Sequence, residues 1–237
     1  MPNDTPRYHN LAILIPCYNC GTAVTGVVQS CQPYTPKILL VNDGSNAETG
    51  AIIAQCGCGV IGWQTNRGKG NALREGFKHW LQTDGWELLI TLDSDGQHDP
   101  ALIPALVERH QQSNAHIVLG TRRFERRDMP GSRYWANTVS SKLIAWLTGC
   151  RVRDFQCGYR LFTRHALEQL ISGLKSDAYS IETEMALLAH DLGLPMAELE
   201  MDAIYLDSAS QRSSWRPLTD SYGIACVVAK HLLQRKH

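Results

Sequence analysis

The chain has 237 residues, 43% of them hydrophobic, which suffices to bury one substantial core, so we predict a single domain over residues 1–237. Its 23 basic and 23 acidic side chains give no general attraction to nucleic acid, and no nucleic-acid partner is expected. No stretch reaches the roughly 20 apolar residues of a membrane span, and the N-terminus does not resemble a signal peptide. We therefore expect a cytoplasmic protein whose membrane contact, at the inner face, would be peripheral.

Short β-rich runs alternate with helical patterns over about residues 8–120. Five strands are predicted, near residues 11–15, 37–41, 59–64, 87–92 and 116–119. The clearest helix is 69–81, whose apolar side chains fall at helical spacing. This alternation predicts an α/β fold, Rossmann-like, with a mostly parallel sheet covered by helices on both faces.

Polar motifs follow four of the predicted strands. They are Pro16-Cys17-Tyr18-Asn19, Asn42-Asp43-Gly44-Ser45, Asn66-Arg67-Gly68-Lys69-Gly70 and Asp93-Ser94-Asp95. Because ligands collect at the carboxyl ends of strands in open parallel sheets, we expect these four loops to face one cleft. Lys69 opens a helix, where backbone N–H groups favour an anion; a solvent-facing helix start is the alternative.

Asp93 and Asp95 are the strongest candidates for a metal site. They stand one residue apart directly after an apolar strand, and Gln97 and His98 follow them. Carboxylate and amide oxygens suit Mg²⁺ or Mn²⁺, and Mg²⁺ commonly shares its shell with substrate phosphates. An isolated Asp-x-Asp is more often a surface turn, but the neighbouring loops favour a metal. His98 is interpreted as a turn residue in preference to a metal ligand.

Residues 121–237 are predicted to form an acceptor-side half that ends in a helical extension. It begins with five arginines, which form either a solvated face or an anion site. They are Arg122, Arg123, Arg126, Arg127 and Arg133. After them we predict a helix over 134–147, a turn over 154–160 and a helix with Glu182 and Glu184. A last helix over 219–234 is predicted to dock on the core, with contact to a membrane surface as the alternative. The eight cysteines are interpreted as buried free thiols, since their spacing does not fit zinc.

The ordered motifs resemble family 2 glycosyltransferases of the GT-A fold, and most of all the branch of dolichyl-phosphate mannose and glucose synthases and their polyprenyl-phosphate relatives. The resemblance is collinear over residues 11–210. Its motifs are Pro16–Asn19, Val41–Ser45, Asn66–Ala72, Asp93–His98, Gly120–Arg122 and Asp154–Arg160. The resemblance implies that residues 8–120 form a nucleotide-sugar-binding half. Cys20 and Asn42 depart from residues common in the family and leave the donor base, uracil or guanine, open.

The resemblance also implies roles for individual residues. Those expected at the nucleotide sugar are Pro16, Tyr18, Asn19, Asp43, Lys69, Asp93 and Asp95. The expected ligands of Mg²⁺ or Mn²⁺ are Asp93, Asp95 and Gln97. The expected acceptor contacts are Arg133, Asn137 and Arg160. The catalytic candidates are Asp95, Arg122, Asp154 and Glu182.

The nature of the acceptor decides whether a general base is needed. A hydroxyl must lose its proton as it attacks, and Asp154, Glu182 and Glu184 are the candidate bases. A lipid phosphate is already ionised, and the arginine cluster suits it. Together with the inversion and the nucleotide-sugar donor that the resemblance implies, this predicts a metal-dependent inverting glycosyltransferase that uses a UDP- or GDP-sugar and a polyprenyl-phosphate or other lipid acceptor.

Three other functions compete with this prediction. One is transfer to a hydroxyl of a glycan or of an acyl or aryl lipid. A second is a sugar nucleotidyltransferase, which would carry a Gly-rich basic loop after the first strand, unlike Pro16–Gly21. The third is a catalytically silent nucleotide-binding scaffold, which would have no need to keep Asp93, Asp95 and Gln97.

Overall fold

A computed structural model of the protein describes residues 5–123, 141–202 and 217–234. Its seven strands are β1 (Leu11–Cys17), β2 (Ile38–Asp43), β3 (Gly59–Trp63), β4 (Leu88–Thr91), β5 (Ile117–Arg123), β6 (Arg160–Thr163) and β7 (Met196–Asp202). Its helices are α1 (Ala23–Cys31), α2 (Ala47–Ala54), α3 (Lys69–Leu81), α4 (Ile103–Ser113), α5 (141–148), α6 (Arg164–Leu170), α7 (Ile181–Asp191) and α8 (Pro217–Gln234).

All seven strands form one sheet in the order β3-β2-β1-β4-β6-β5-β7. The strands β1, β2, β3 and β4 pair in parallel, and so do β5 and β7, whereas β6 runs antiparallel between β4 and β5. The predicted α/β fold with a mostly parallel sheet is therefore confirmed. The two strands that the sequence did not predict are β6 and β7, because β6 has only four residues and β7 alternates weakly between buried and exposed positions.

The sheet separates two apolar layers. Alternate residues of β1 serve the two layers, since Leu14 packs with α3 and α7 on one face and Ile13 packs with α1 and α4 on the other. The bounds predicted for α3 are confirmed, and its buried side chains include Phe77, whose ring meets that of Phe162 edge to face at 5.7 Å. Helices thus cover both faces of the sheet, as predicted.

The strand directions decide which loops meet at the carboxyl edge of the sheet. Residues after β1, β2 and β4 reach this edge because these strands are parallel neighbours. The antiparallel β6 brings the segment that precedes it, residues 154–159, to the same edge, because Arg160 pairs with both Thr91 and Leu119. Segments far apart in the chain therefore surround one cleft.

The prediction of buried free cysteines is confirmed in part, because three of them are half-buried. All eight cysteines are free, and five of them are buried: Cys17, Cys31, Cys56, Cys150 and Cys157. Helix α8 docks on α7, where His231 Nδ1 lies 2.9 Å from Asp191 Oδ2. Within residues 5–123, 141–202 and 217–234, none of the helices combines the length and apolar character needed to cross a bilayer.

Candidate active site

The turn that carries Asp93 and Asp95 packs on the buried side chain of His98. The imidazole is 5% exposed, stacks on Tyr159 at 5.2 Å, and accepts a hydrogen bond on Nδ1 from the backbone N–H of Asp93 at 3.0 Å. The backbone N–H of Gln97 donates to Asp95 Oδ1 at 3.0 Å. His98 is thus a turn residue, as interpreted, but the sequence did not show that it is buried.

His98 is neutral at the base of this turn. Burial lowers its pKa to about 4, although the nearby Asp93 carboxylate works in the opposite direction. Protonation would also add a proton to Nδ1 and break the hydrogen bond from Asp93. The fold therefore requires the neutral imidazole.

We expect this requirement to make stability depend on pH. Unfolded His98 takes up a proton near pH 6.5 and folded His98 only near pH 4, so the free energy of unfolding should fall by about 3 kcal/mol as the pH drops between these values. In His98→Asn, whose Oδ1 replaces the Nδ1 acceptor, this part of the pH dependence should vanish. Urea unfolding in chelator-treated buffer measures it, with exposed His79→Gln as the control. Parallel pH profiles for wild type and His98→Asn would contradict the assignment.

Lys69 joins two carboxylates inside the cleft. Its ammonium lies 2.5 Å from Asp93 Oδ1 and 2.8 Å from Glu182 Oε1, and its side chain is 12% exposed. Burial works against the charge, but the two carboxylates outweigh it and raise the pKa of Lys69. Burial likewise raises the pKa of Asp93, yet Lys69 outweighs it and brings that pKa down to about 2. Lys69 therefore neutralises two carboxylates, and the predicted donor contact of Lys69 and catalytic role of Glu182 stay predictions.

Gly158 allows this ion pair to form. A Cβ at this position would come within 3.0 Å of both Asp93 Oδ1 and Lys69 Nζ. Its carbonyl also accepts from Thr91 Oγ1 at 2.8 Å, which ties the turn over 154–159 to the end of β4. A side chain at 158 would therefore require the ion pair to shift by a few tenths of an ångström.

The expected anion site at the start of α3 is already filled by the protein. The backbone N–H groups of Gly70 and Asn71 donate to the carbonyl of Asp177 at 2.8 and 3.3 Å. Those of Arg67 and Gly68 donate to the carboxylate of Asp43 at 2.7 and 2.8 Å. These four amides are thus used within the protein and are not open to the expected anion.

Asp43 has a different role from the predicted contact with the nucleotide. It is 2% exposed, and each of its oxygens accepts two hydrogen bonds. The donors are the amides of Arg67 and Gly68, Trp63 Nε1 at 2.6 Å and Asn66 Nδ2 at 2.9 Å. Four donors satisfy all of the roughly four lone-pair sites of a carboxylate. Asp43 thus shapes the loop between β3 and α3, and the predicted direct contact needs correction.

The loop after β1 is tied to the loop after β2. Asn19 adopts a left-handed conformation with φ 49°, and its N–H donates to Ser45 Oγ at 3.0 Å. Its side-chain oxygen accepts from the N–H of Asn46 at 2.8 Å. Tyr18 is 39% exposed beside it, and Pro16 is half-buried in β1. Their contacts with a nucleotide, and that of Asn19, remain predictions.

Arg122 and Asp154 form a two-point ion pair. Arg122 Nε and Nη2 donate to the two carboxylate oxygens of Asp154 at 2.7 and 3.1 Å, and Asp154 is 2% exposed. Burial raises the pKa of Asp154, but the guanidinium outweighs it, so that pKa is lowered. A buried carboxylate of lowered pKa is a poor base. Asp154 thus holds Arg122 in place, and its predicted catalytic role stays a prediction.

Two further charged residues are structural. Arg160, predicted to contact the acceptor, is 1% exposed and donates to the carbonyls of Phe155, Cys157 and Glu182 at 2.7–2.8 Å. That prediction is wrong. Glu184, a candidate base, accepts the N–H groups of Lys175 and Ser176 at 3.0 and 2.8 Å. The other expected acceptor contacts, Arg133 and Asn137, lie outside the described residues.

A basic pocket of about 460 Å³ opens beside Arg122. The charged side chains that line it are Arg122, Arg123, Lys142, Arg151, Arg153 and Glu200. Glu200 is paired with Arg123 at 2.7 Å and with Arg153 at 3.0 Å. Arg122 is held by Asp154, and Arg153 is also paired with Glu198 at 2.8 Å. Among the described lining residues the basic side chains still outnumber the acidic ones, which favours an anion. Of the predicted arginine cluster, the pocket contains Arg122 and Arg123, whereas Arg126, Arg127 and Arg133 lie outside the described residues.

The residues at the turn suit a divalent cation in part. Burial and the charge of Asp93 raise the pKa of Asp95, so a cation there would relieve repulsion between carboxylates. Asp93, Asp95 and Gln97 all offer oxygen ligands, although Asp93 Oδ1 is paired with Lys69, and their binding of a metal stays a prediction. In the described ranges, however, no three His, Cys, Asp or Glu side chains stand as a preformed metal site. This fits a metal that takes part of its shell from a substrate diphosphate.

The chain was compared with known families and structures. Residues 12–171 match the model of glycosyl transferase family 2. The dolichyl-phosphate beta-glucosyltransferase of Drosophila melanogaster is 25% identical over 97% of this chain and 77% of its own. The UDP-N-acetylglucosamine–dolichyl-phosphate N-acetylglucosaminyltransferase of Methanococcus voltae is 26% identical over 85% of this chain and 88% of its own.

Among solved structures, glucosyl-3-phosphoglycerate synthase from Mycobacterium tuberculosis, in complex with Mn²⁺, uridine diphosphate and glucosyl-3-phosphoglycerate, is similar in fold. Its TM-score is 0.70 at 21% identity, covering 96% of this chain and 80% of that one. This likeness confirms the predicted GT-A fold, and the family match spans all the strands up to β6. The predicted resemblance is thus confirmed: the chain is an enzyme of glycosyltransferase family 2.

Proposed function

We propose that the protein transfers a sugar from a nucleoside-diphosphate sugar to a polyprenyl phosphate, with inversion and with a divalent metal. One observation carries the choice of acceptor: each of the three candidate bases is already held by a partner. Asp154 is bound to Arg122, Glu182 to Lys69, and Glu184 to two backbone amides. A hydroxyl acceptor needs a base, whereas an ionised phosphate does not. The named relatives from Drosophila melanogaster and Methanococcus voltae support the same acceptor class.

In the proposed reaction a phosphate oxygen of the acceptor attacks the anomeric carbon of the sugar. The bond from that carbon to the donor's diphosphate oxygen breaks, and the electron pair leaves with the nucleoside diphosphate. Arg122 faces the basic pocket, where it would orient the acceptor phosphate. Lys69 keeps Asp93 charged and in place beside the turn. Asp95 and Gln97 would hold the metal, which when bound neutralises the charge that develops on the leaving diphosphate.

A pair of matched acceptors tests this proposal. The purified protein is incubated with Mn²⁺ and a UDP- or GDP-sugar, together with either a short polyprenyl phosphate or the polyprenol of the same chain length. We expect the sugar to appear on the phosphate and not on the alcohol. Equal transfer to the alcohol, or release of free sugar alone, would contradict the proposal.

The role of Asp154 gives a second test. If it only holds Arg122, Asp154→Asn and Arg122→Lys should each lower kcat/KM by about a hundredfold, because both displace the guanidinium. The kcat/KM of the double variant should then be no lower than that of the less active single variant, because both changes remove the same interaction. Steady-state kinetics on the four proteins measures this. A far larger loss in Asp154→Asn than in Arg122→Lys would instead identify Asp154 as a base.

A further inference from the structure

A second cavity, of about 550 Å³, lies beside the edge strand β7. Arg109 of α4, Arg151 and His190 of α7 line it, and we call it the edge pocket. Among its described lining residues there is neither Arg122 nor any residue of the turn over 93–98. Small-molecule sites usually have volumes of roughly 300–1,000 Å³. The edge pocket is therefore large enough for a small organic ligand, and it lies apart from the turn that carries the carboxylates.

The edge pocket contains two arginines without an acidic partner. Its acidic side chain, Glu198, is paired with Arg153 Nε at 2.8 Å and also accepts the backbone N–H of Arg153 at 2.8 Å. In the described part of the chain, neither Arg109 nor Arg151 forms an ion pair. Arg109 Nε donates to the backbone carbonyl of Glu198 at 3.1 Å, which is an uncharged acceptor. Arg153 thus neutralises Glu198, and the charges of Arg109 and Arg151 remain.

Apolar side chains form the other part of the lining. Leu119, Val152 and Ala197 are buried there, and Met196 is half-buried. A guanidinium presents its N–H donors in a planar fork that matches the oxygens of a phosphate or a carboxylate. An inorganic ion would use the arginines and leave the apolar lining uncovered. The lining therefore favours an anionic group that is attached to an organic group.

We propose that the edge pocket binds a phosphate monoester of a small organic molecule. A phosphate monoester carries about −1.5 to −2 charges at neutral pH, which matches the two arginines that lack an acidic partner. A carboxylate carries only one charge and would match them less well. The organic part of the ligand would cover the apolar lining.

The edge pocket shares a wall with the basic pocket beside Arg122. Arg151, Val152 and Arg153 line both cavities, and Arg153 also binds Glu200 of the basic pocket at 3.0 Å. An anion in the edge pocket would attract the two shared arginines and lower the positive potential of the basic pocket. We therefore expect the ligand to inhibit sugar transfer. This consequence rests on the proposed function, whereas binding itself does not.

Calorimetric titration of the full chain with phenyl phosphate, in chelator and without donor or acceptor, tests the binding. We expect phenyl phosphate to bind, and inorganic phosphate to bind at least about fivefold more weakly because it lacks the apolar ring. Arg109→Gln and Arg151→Gln should each raise the Kd of phenyl phosphate at least about tenfold, because each removes a charged donor. Lys78→Gln removes an exposed positive charge on α3. It is the matched control and should bind like the wild type.

Three results would overturn the proposal. They are no binding of phenyl phosphate to the wild type, equal affinity of the wild type and Arg109→Gln, and inorganic phosphate that binds as tightly as phenyl phosphate. The second would place the ligand in the basic pocket instead. Urea unfolding of each variant verifies that the fold is retained.

Inhibition is measured in the transfer assay with a short polyprenyl phosphate. Phenyl phosphate should inhibit the wild type and Lys78→Gln, and it should inhibit Arg109→Gln at least about tenfold more weakly. Equal inhibition of all three proteins would assign the effect to the basic pocket and contradict the coupling. Absence of transfer in every protein, wild type included, would defeat the proposed function and leave the calorimetric result standing.

Discussion

Asp95→Asn should lower kcat/KM for sugar transfer by about a thousandfold while leaving the fold intact. Asp95 is half-buried in the turn after β4, and its pKa is raised by burial and by Asp93. A carboxylate placed against another carboxylate costs free energy unless a cation binds there. Asparagine keeps an oxygen that can accept the hydrogen bond from Gln97 but removes the charge that would hold the metal. The loss should therefore fall on the reaction and not on stability.

Glu184→Gln is the matched control for Asp95→Asn. This variant also removes a carboxylate charge. Among the described residues, the Glu184 carboxylate contacts only backbone amides in the loop before α7. Its transfer rate should stay within a few-fold of the wild type. Kinetics and urea unfolding of both variants decide the matter: an Asp95→Asn enzyme with wild-type kcat/KM would show that Asp95 holds no metal needed for transfer.

Lys69→Met should destabilise the protein by about 3 kcal/mol. Lys69 compensates two carboxylates, and Glu182 is 1% exposed with no directional hydrogen bond to its carboxylate oxygens in the described part of the chain. Removal of the ammonium leaves that buried charge uncompensated. Methionine retains most of the side-chain volume, so the loss reports charge and not a cavity. Urea unfolding at pH 7 measures the difference.

A second substitution separates charge from packing. Adding Glu182→Gln to Lys69→Met removes the buried charge, and we expect it to restore about half of the lost free energy or more. Transfer should stay impaired, because Asp93 still lacks its cation. A Lys69→Met protein as stable as the wild type would contradict the account, and so would a double variant less stable than the single one.

The sequence predicts those features that local patterns determine. The apolar stripe of 69–81 predicts α3 with its bounds, and four polar loops after apolar strands predict a common edge of the sheet. A short motif also predicts Asp95 and Gln97 as metal ligands, because carboxylate and amide oxygens suit a hard cation, and this stays a prediction. In each case the information lies within a few consecutive residues.

The roles that needed correction depend on contacts between distant segments. Lys69 meets Asp93 because α3 begins where β4 ends, and it meets Glu182 because the start of α7 packs there as well. A buried arginine that binds three carbonyls looks, in the sequence, like an arginine that binds a substrate phosphate, and Arg160 shows this. Spacing along the chain carries no information about how such side chains are used.

Gly158 shows the same limit for a small residue. In the sequence it reads as a turn glycine, but the structure needs it because Lys69 and Asp93 would touch a Cβ there. The sequence likewise predicts that His98 is a turn residue, but it does not show that Tyr159 stacks on it. Both depend on side-chain packing against β6 and the turn before it.

Calorimetric titration of UDP- and GDP-sugars, with Mn²⁺ and with chelator, tests the central claim most directly. The account predicts that donors with one of the two bases bind in the presence of Mn²⁺, that chelator removes the binding, and that Asp95→Asn does not bind under either condition. Equal donor binding with and without metal would contradict a metal site at Asp95 and Gln97. Failure of the folded wild type to bind any donor would contradict the donor site altogether.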